Sequence, residues 1–365
     1  MNSCPFCDRE DKPTALSIGA CGPCLKEGNE RALQWAQDAH VKVRREWGLP
    51  GKIPDTTDGI PCTVCVNNCL LGEGEVGACG LRTNSQGVMI GASEDAAKAS
   101  WYHDPLPTNC VADWVCAGGT GAGYPLYANS PGPERGYRNL AVFFTACSFN
   151  CLFCQNWTYR HGMFDGMYSG PADIADAVDE ATSCICYFGG DPGPQAPYAL
   201  KASARALKRS GERILRICWE TNGSMDPRYL DQMVEMSLET GGCIKFDLKA
   251  FDDNLHRALT GISNRRTLEN FERAALRIRE RPDPPLLVAS TLMVPGYVDD
   301  SEVGGIASFI AGIDPWIPYS LLAFHPQFRM LDLPTTSRKQ AEKCRERALQ
   351  SGLKRVNVGN VHLLK

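Results

Sequence analysis

From residue 139 onward the chain alternates between two kinds of segment. Six short apolar runs, rich in β-branched and aromatic residues, read as strands: "NLAVFFTAC" (139–147), "CICYFGG" (184–190), "RILRICWETNG" (213–223), "CIKFDLKAF" (243–251), "PLLVASTLMVPG" (285–296) and "YSLLAFHP" (319–326). Between and after them stand stretches of helical periodicity, among them "APYALKASARALKRSG", "DPRYLDQMVEMSLETGG" and "SRKQAEKCRERALQSG". Several open on Pro, Asp or Ser and several close on Gly, as helix ends prefer. Such alternation predicts parallel strands joined by helical crossovers. Six units fall short of the eight of a closed barrel, so the expected fold class is α/β, with the parallel unit over 139–330 and a C-terminal helix and tail at 331–365. Chemistry in such folds gathers where the strands end. Cys147, Gly189, Gly190, Glu220 to Gly223, Asp247, Lys249 and His325 all fall at those ends.

The remaining length is spent on cysteine-rich modules. The chain has 365 residues, 43% of them hydrophobic and 22% charged, with a formal net charge of −4. That balance is globular and argues against a general nucleic-acid binder. No apolar stretch approaches the roughly 18 residues that a membrane span needs. "MNSCPFCDREDKP" does not read as a secretory signal. The expectation is a cytoplasmic protein with no membrane partner.

Eighteen cysteines in such a chain point to metal rather than to disulfides. Cys4, Cys7, Cys21 and Cys24 form two C-x2-C pairs, the pattern of a zinc ribbon or rubredoxin knuckle, so residues 1–26 are expected to hold one structural metal, zinc before iron. Residues 27–60 read as a charged amphipathic helix and a Gly/Pro linker. The segment 61–138 opens with Cys62, Cys65, Cys69 and Cys79 among glycines, a second candidate site for zinc or an iron–sulfur cluster, to which Cys110 and Cys116 are available as further ligands. It closes on "AGGTGAGYPLYANSPGPERGYR", read as a substrate or interface loop.

The third cysteine group is the most informative. "FFTACSFNCLFCQNW" places Cys147, Cys151 and Cys154 at C-x3-C-x2-C spacing with no near fourth ligand. Three thiolates can hold a [4Fe–4S] cube by three irons and leave the last iron open, as a catalytic zinc keeps an open position. The spacing, with Phe153 before the last cysteine, resembles the radical S-adenosylmethionine superfamily. "YFGGDPGPQAPY", "WETNG", "KFDLKAF", "LMVPGYVDDSE" and "LLAFHPQFRMLDLPTT" resemble the activating enzymes of pyruvate formate-lyase, and "CTVC…NNCLLGEGEVGACGLRTNSQG" resembles the AmmeMemoRadiSam type of activase-like protein.

That resemblance implies a partial (β/α)6 TIM-like barrel over 139–330, matching the six strands, a [4Fe–4S] cluster on Cys147, Cys151 and Cys154, and S-adenosyl-L-methionine chelated to its open iron. It implies cofactor contacts from Phe153, Gly189, Gly190, Asp191, Thr221, Asn222, Asp247, Lys249 and His325. It also implies a monovalent cation held by Glu220, Thr221 and Asp247, although Asp191 and Glu220 stand where the family has Glu and Asp. The implied activity is reductive cleavage of the cofactor to a 5′-deoxyadenosyl radical, with hydrogen taken from a protein or peptide substrate as a glycyl-radical activase does. The implied electron donor is a flavodoxin or ferredoxin. Radical modification of a small molecule or RNA base, and a non-enzymatic iron–sulfur electron carrier, are the competing readings.

Overall fold

A computed structural model describes residues 3–7, 9 and 13–365, so part of the 1–26 module lies outside the described residues. Eight strands form one sheet in sequence order: β1 (Ala99–Pro105), β2 (Arg138–Phe144), β3 (Thr182–Gly189), β4 (Arg216–Thr221), β5 (Ile244–Asp247), β6 (Leu287–Met293), β7 (Tyr319–Ala323) and β8 (Val356–Gly359). β2 to β8 run parallel and β1 pairs antiparallel to β2. The sheet is open, with β1 at one edge and β8 at the other, which is the expected partial barrel. All six expected strands are present. The sheet also takes in β1 and β8, which lie on either side of the 139–330 span.

The helices are α1 (Glu30–Glu46), α2 (Pro171–Ala177), α3 (Ala196–Ser210), α4 (Pro227–Thr240), α5 (Asp253–Thr260), α6 (Arg265–Ala275), α7 (Asp300–Ile313) and α8 (Arg338–Gln350). Their ends follow from local chemistry. Asp226, Asp252, Asp299 and Ser337 accept hydrogen bonds from first-turn amides, and Gly241 and Gly261 close α4 and α5 in the left-handed conformation.

The strands alternate strictly. Val142, Phe144, Ile185, Tyr187, Ile217, Trp219, Ile244, Phe246 and Tyr319 are buried in one core with the apolar faces of the helices. Many of the alternate positions are polar or sulfur-bearing, namely Cys186, Cys218, Glu220, Lys245, Asp247, Ser290 and Ser320, with Phe188, Leu292 and Leu322 at the cavity end. A parallel sheet covered on both faces reads as continuous apolar runs. The inward polar row therefore marks a cavity rather than a packed barrel centre.

The Gly/Pro loop read as a substrate or interface loop closes the opposite end of the barrel. Its Glu134 accepts two hydrogen bonds from Arg216, at 2.9 and 2.5 Å, and both side chains are fully buried beside Ser183. Arg216 and Ser183 begin their strands, so the loop is a floor under the N-terminal ends. A buried pair of this kind positions a loop, because breaking it leaves an uncompensated charge.

At the other end the N-terminal module docks on the loop after β6. Tyr297 Oη accepts from the Ala15 amide and donates to the Ala20 carbonyl, both at 2.9 Å, and Lys26 pairs with Glu302 at 3.4 Å. No helix among the described residues is long and apolar enough to cross a membrane.

Candidate active site

The C-terminal ends of the strands open into a cavity of about 590 Å³. Register aligns its walls: Phe144 lies beside Gly189, Thr221 beside Phe246, Asp247 beside Ser290 and Leu322 beside Gly359. Cys147, Cys151, Cys154, Phe153, Gly189, Gly190, Asp191, Glu220, Thr221, Asn222, Asp247 and Lys249 all line this one space. Four sequence-separated segments thus converge where the alternation placed them.

The cysteine triplet occupies the loop leaving β2. The loop is pinned from outside: the Asn150 and Leu152 amides donate to the carbonyls of Thr260 and Leu259 at the end of α5, at 2.8 and 3.0 Å. Arg160, buried, donates to Asn150 Oδ1 at 3.0 Å. Cys147 Sγ accepts from the Phe149 amide at 3.4 Å and from Asn222 Nδ2 at 3.6 Å. Burial pushes the Cys147 thiol well above its ordinary pKa and the Cys151 thiol up to about 12, while Lys249 acts on Cys151 in the opposite direction. Burial also raises Cys154, against the nearby Arg160 charge. Three sheltered thiols with two cations beside them suit an anionic metal–sulfur centre better than free thiolates.

Gly189 and Gly190 face the triplet across the β3 end. Gly189 holds φ at +83°, open to glycine at no steric cost. A Cβ on Gly190 would stand 2.2 Å from the Ala146 carbonyl oxygen, next to Cys147. The backbone locks the two loops together, with the Gly190 amide donating to Phe144 O and the Asp191 amide to Ala146 O, each at 2.8 Å.

Asp191 is 2% exposed and its carboxylate accepts three hydrogen bonds. Oδ1 accepts from Thr221 Oγ1 and the Asn222 amide, and Oδ2 from the Gly193 amide, all at 2.9 Å. It fixes the Thr221–Asn222 turn. Burial raises its pKa from 3.8 to about 6, against those three hydrogen bonds and with help from the Asp247 charge. A raised carboxyl pKa costs folding stability that appears as pH climbs from 3.8 through 6. Asp191→Asn removes that cost, so the variant gains on the parent between pH 4.5 and 7 by on the order of 3 kcal/mol at most. Denaturant unfolding of both proteins at the two pH values checks this; a pH-independent difference contradicts it.

Two further ion pairs share the cavity wall. Lys249 Nζ meets Asp247 Oδ2 at 2.5 Å, and Ser290 Oγ donates to Asp247 Oδ1 at 2.5 Å. Burial disfavours the Lys249 ammonium, yet Asp247 and Cys151 outweigh it and hold its pKa above the ordinary value. Deeper, Lys245 donates to Glu220 Oε1 at 3.0 Å and to Cys110 Sγ at 3.1 Å, and Cys110 Sγ contacts Glu220 Oε1 at 3.2 Å. Glu220, Thr221 and Asp247 are therefore each engaged by a different partner, and a monovalent cation on them would compete with two ammonium groups. Cys110 and Cys116 belong to this inner floor, packing near Cys243 and Val288, and not to the second cysteine group.

His325 does not line the cavity. It is exposed, its Nδ1 lies 3.1 Å from the Pro326 carbonyl, and its own carbonyl accepts from Gln155 Nε2 at 3.1 Å. His362, on the tail after β8, stands at the rim with Asn357 and Asn360. These residues, with Cys110, Ser290 and Ser320, were not singled out as cavity contacts from the sequence. The signal for Ser290 and Ser320 was the polar inward row; for the tail residues there was none.

Cys4, Cys7, Cys21 and Cys24 bring all four sulfurs within 4.8 Å of one another, with Cys4 to Cys24 at 3.9 Å and Cys7 to Cys21 at 3.7 Å. Thiolates 2.3 Å from one zinc in a tetrahedron stand about 3.8 Å apart. This group is able to hold a single metal ion. Cys62, Cys65, Cys69 and Cys79 are neighbours in space but do not reach that spacing.

Residues 141–310 match the family model described as the Radical SAM superfamily. This segment belongs to the radical SAM superfamily. The chain is 23% identical over 310 residues to an uncharacterized protein of Methanocaldococcus jannaschii, covering 83% of this chain and 81% of that one. It is 31% identical over 143 residues to isethionate sulfite-lyase activating enzyme of Oleidesulfovibrio alaskensis, covering 39% of this chain and 41% of the relative. It is 26% identical over 167 residues to pyruvate formate-lyase 1-activating enzyme of Escherichia coli, covering 44% of this chain and 63% of the relative. The chain thus spans less than two thirds of either activating enzyme. The radical SAM assignment implies a [4Fe–4S] cluster and S-adenosyl-L-methionine, and the residues present fit both. Three thiols share the cavity with Lys249 and feel the charge of the buried Arg160, glycine backbone faces them, and the cavity lies in the range of small-molecule sites.

Proposed function

We propose that the protein is a radical S-adenosyl-L-methionine enzyme that takes a hydrogen atom from a protein or peptide substrate, as a glycyl-radical activase does. The observation that carries this reading is the meeting of Cys147, Cys151 and Cys154 with Gly189, Gly190 and Asn222 around one open cavity. When bound, the cluster supplies the electron that splits the cofactor's sulfonium bond. The chain's own residues bind and orient. Cys147, Cys151 and Cys154 hold three irons. Gly189 and Gly190 admit the amino-acid end of the cofactor to the backbone, Asp191 keeps Thr221 and Asn222 in place, and Lys249 with Asp247 forms the charged wall. Zinc occupies the N-terminal four-cysteine group as a structural ion.

A protein or peptide substrate is supported by the names of the relatives, two of which are activating enzymes of lyases. Electrons come from a flavodoxin or ferredoxin. The test is anaerobic incubation of the full-length reduced protein with S-adenosylmethionine and candidate glycyl-radical enzymes or peptides deuterated at glycine. Deuterium is expected in the 5′-deoxyadenosine. Deuterium arriving only from a small molecule or a nucleoside would replace the protein-substrate reading.

A further inference from the structure

Among the cysteines outside both the cavity and the N-terminal metal group, Cys62, Cys65, Cys69 and Cys79 form a group of their own. Cys65, Cys69 and Cys79 are buried and Cys62 is half-buried. The Cys62 amide donates to the Cys69 carbonyl at 2.8 Å, across the pairing of Ile60–Pro61 with Leu70–Leu71. Cys62 packs against the small core of Cys69, Leu71 and Ala78. All four are free thiols, and each of Cys65, Cys69 and Cys79 is close enough to feel the charge of Cys62.

Spacing separates this group from a mononuclear site. Among the described residues, only the N-terminal four bring three or more ligand atoms within 4.8 Å of one another. Neither the second group nor the triplet Cys147, Cys151 and Cys154 does so. A cube carries each thiolate on a separate iron and holds them further apart than one ion can. The second group, like the triplet, is not spaced for one ion. Its surroundings suit an anionic cluster. Arg44 donates to the Ala78 carbonyl at 2.6 Å, the Ala78 amide donates to Cys69 Sγ at 3.4 Å, and Arg82 lies near Cys79. Amide donors to sulfur are among the features that set a cluster's potential.

The group also sits directly behind the triplet. Cys79 shares a small apolar core with Ala146, the residue before Cys147. Asn67 Nδ2 donates to the Ser148 carbonyl at 3.0 Å, the Val66 amide donates to Ser224 O at 2.8 Å, and Cys65 bridges Met225. Ser148 Oγ in turn accepts from Asn222 Nδ2 at 2.9 Å, the same amide that reaches Cys147 Sγ.

We infer that Cys62, Cys65, Cys69 and Cys79 hold a second [4Fe–4S] cluster that passes electrons to the cluster on Cys147, Cys151 and Cys154. The relay rests on the function proposed above; the site does not. One electron arrives from a low-potential, one-electron donor protein and reduces the second cluster. The second cluster is reoxidised as it reduces the first by the same electron, and no bond or proton changes in this step.

The test uses the full-length chain with Cys147, Cys151 and Cys154 all replaced by Ala, reconstituted anaerobically with iron and sulfide. About four iron and about four sulfide per chain should remain, with the Mössbauer signature of a [4Fe–4S] centre. Reduced flavodoxin should convert that centre to its paramagnetic form, read by electron paramagnetic resonance. Absence of sulfide, or a second zinc in place of the iron, overturns the site. A cluster that stays oxidised with the donor overturns the relay. A second variant, Cys65→Ser with Cys69→Ser, should retain the triplet's iron while its reduction by flavodoxin slows at least ~10-fold; an unchanged rate also overturns the relay. If the triple variant keeps its cluster while the wild-type chain makes no 5′-deoxyadenosine, the proposed function fails and this site stands.

Discussion

With Cys147, Cys151 and Cys154 replaced together by alanine, the protein makes no detectable 5′-deoxyadenosine and loses about four iron per chain. The three thiols are the sulfurs the cavity leaves open to iron, since its other sulfur, Cys110, is held by Lys245 and Glu220 on the inner floor. The loop itself survives the change, because its anchors are elsewhere: Asn150 and Leu152 remain bonded to α5, and Phe149, Leu152 and Phe153 remain buried. The N-terminal metal is untouched, since its four ligands lie at the docked module and not in this loop. Parallel iron and zinc analysis beside chromatography reads all three outcomes. Retained cofactor cleavage would remove the triplet from the chemistry.

Gly190→Ala has the second large effect. The new methyl lands 2.2 Å from Ala146 O and 2.8 Å from Phe144 O, and both obstacles are backbone. Relief requires the β2 and β3 ends to part, which breaks the bonds from Gly190 N to Phe144 O and from Asp191 N to Ala146 O. Overpacking plus two lost buried hydrogen bonds destabilises by about 3 kcal/mol or more. Because Ala146 precedes Cys147, cluster loading should fall as well. Gly312→Ala is the control: nothing lies within 4 Å of its Cβ and it sits in α7, so it should stabilise by about 0.5–1 kcal/mol. Denaturant unfolding with iron content measures both variants. Equal stability of the Gly190 and Gly312 variants would show that the strand ends yield more easily than their contacts indicate.

The strand framework was legible because β2 to β7 carry their apolar residues in compact runs and the helices between them end on Asp, Ser and Gly signals. β1, "ASWYHDP", was not, because an antiparallel edge strand with one open face carries no continuous apolar run. β8, "VNVG", is too short and too exposed to stand out. Helix α5 had its signals, Asp252 before it and Gly261 after it, but a one-sided pattern of Leu255, Ala258 and Leu259 is brief. Most of the site was legible because convergence at strand ends follows from topology alone. What was not legible is partnership: nothing in the sequence announced that Asp191 accepts three hydrogen bonds, from Thr221, Asn222 and Gly193. His325 sits two residues past the end of β7 and is exposed, while the tail brings His362 to the rim without any periodicity to announce it. The Gly/Pro loop's role depended on Glu134 finding Arg216 across 82 residues.

The central claim is that the three cysteines and the cavity they face form a cofactor-cleaving centre. Its most direct test is chromatographic measurement of 5′-deoxyadenosine from the full-length, anaerobically reconstituted and reduced protein given S-adenosylmethionine alone. Slow formation of 5′-deoxyadenosine, with methionine in equal amount, is the predicted result. A full and reducible cluster on Cys147, Cys151 and Cys154 that produces none, with or without a candidate partner enzyme, would contradict it.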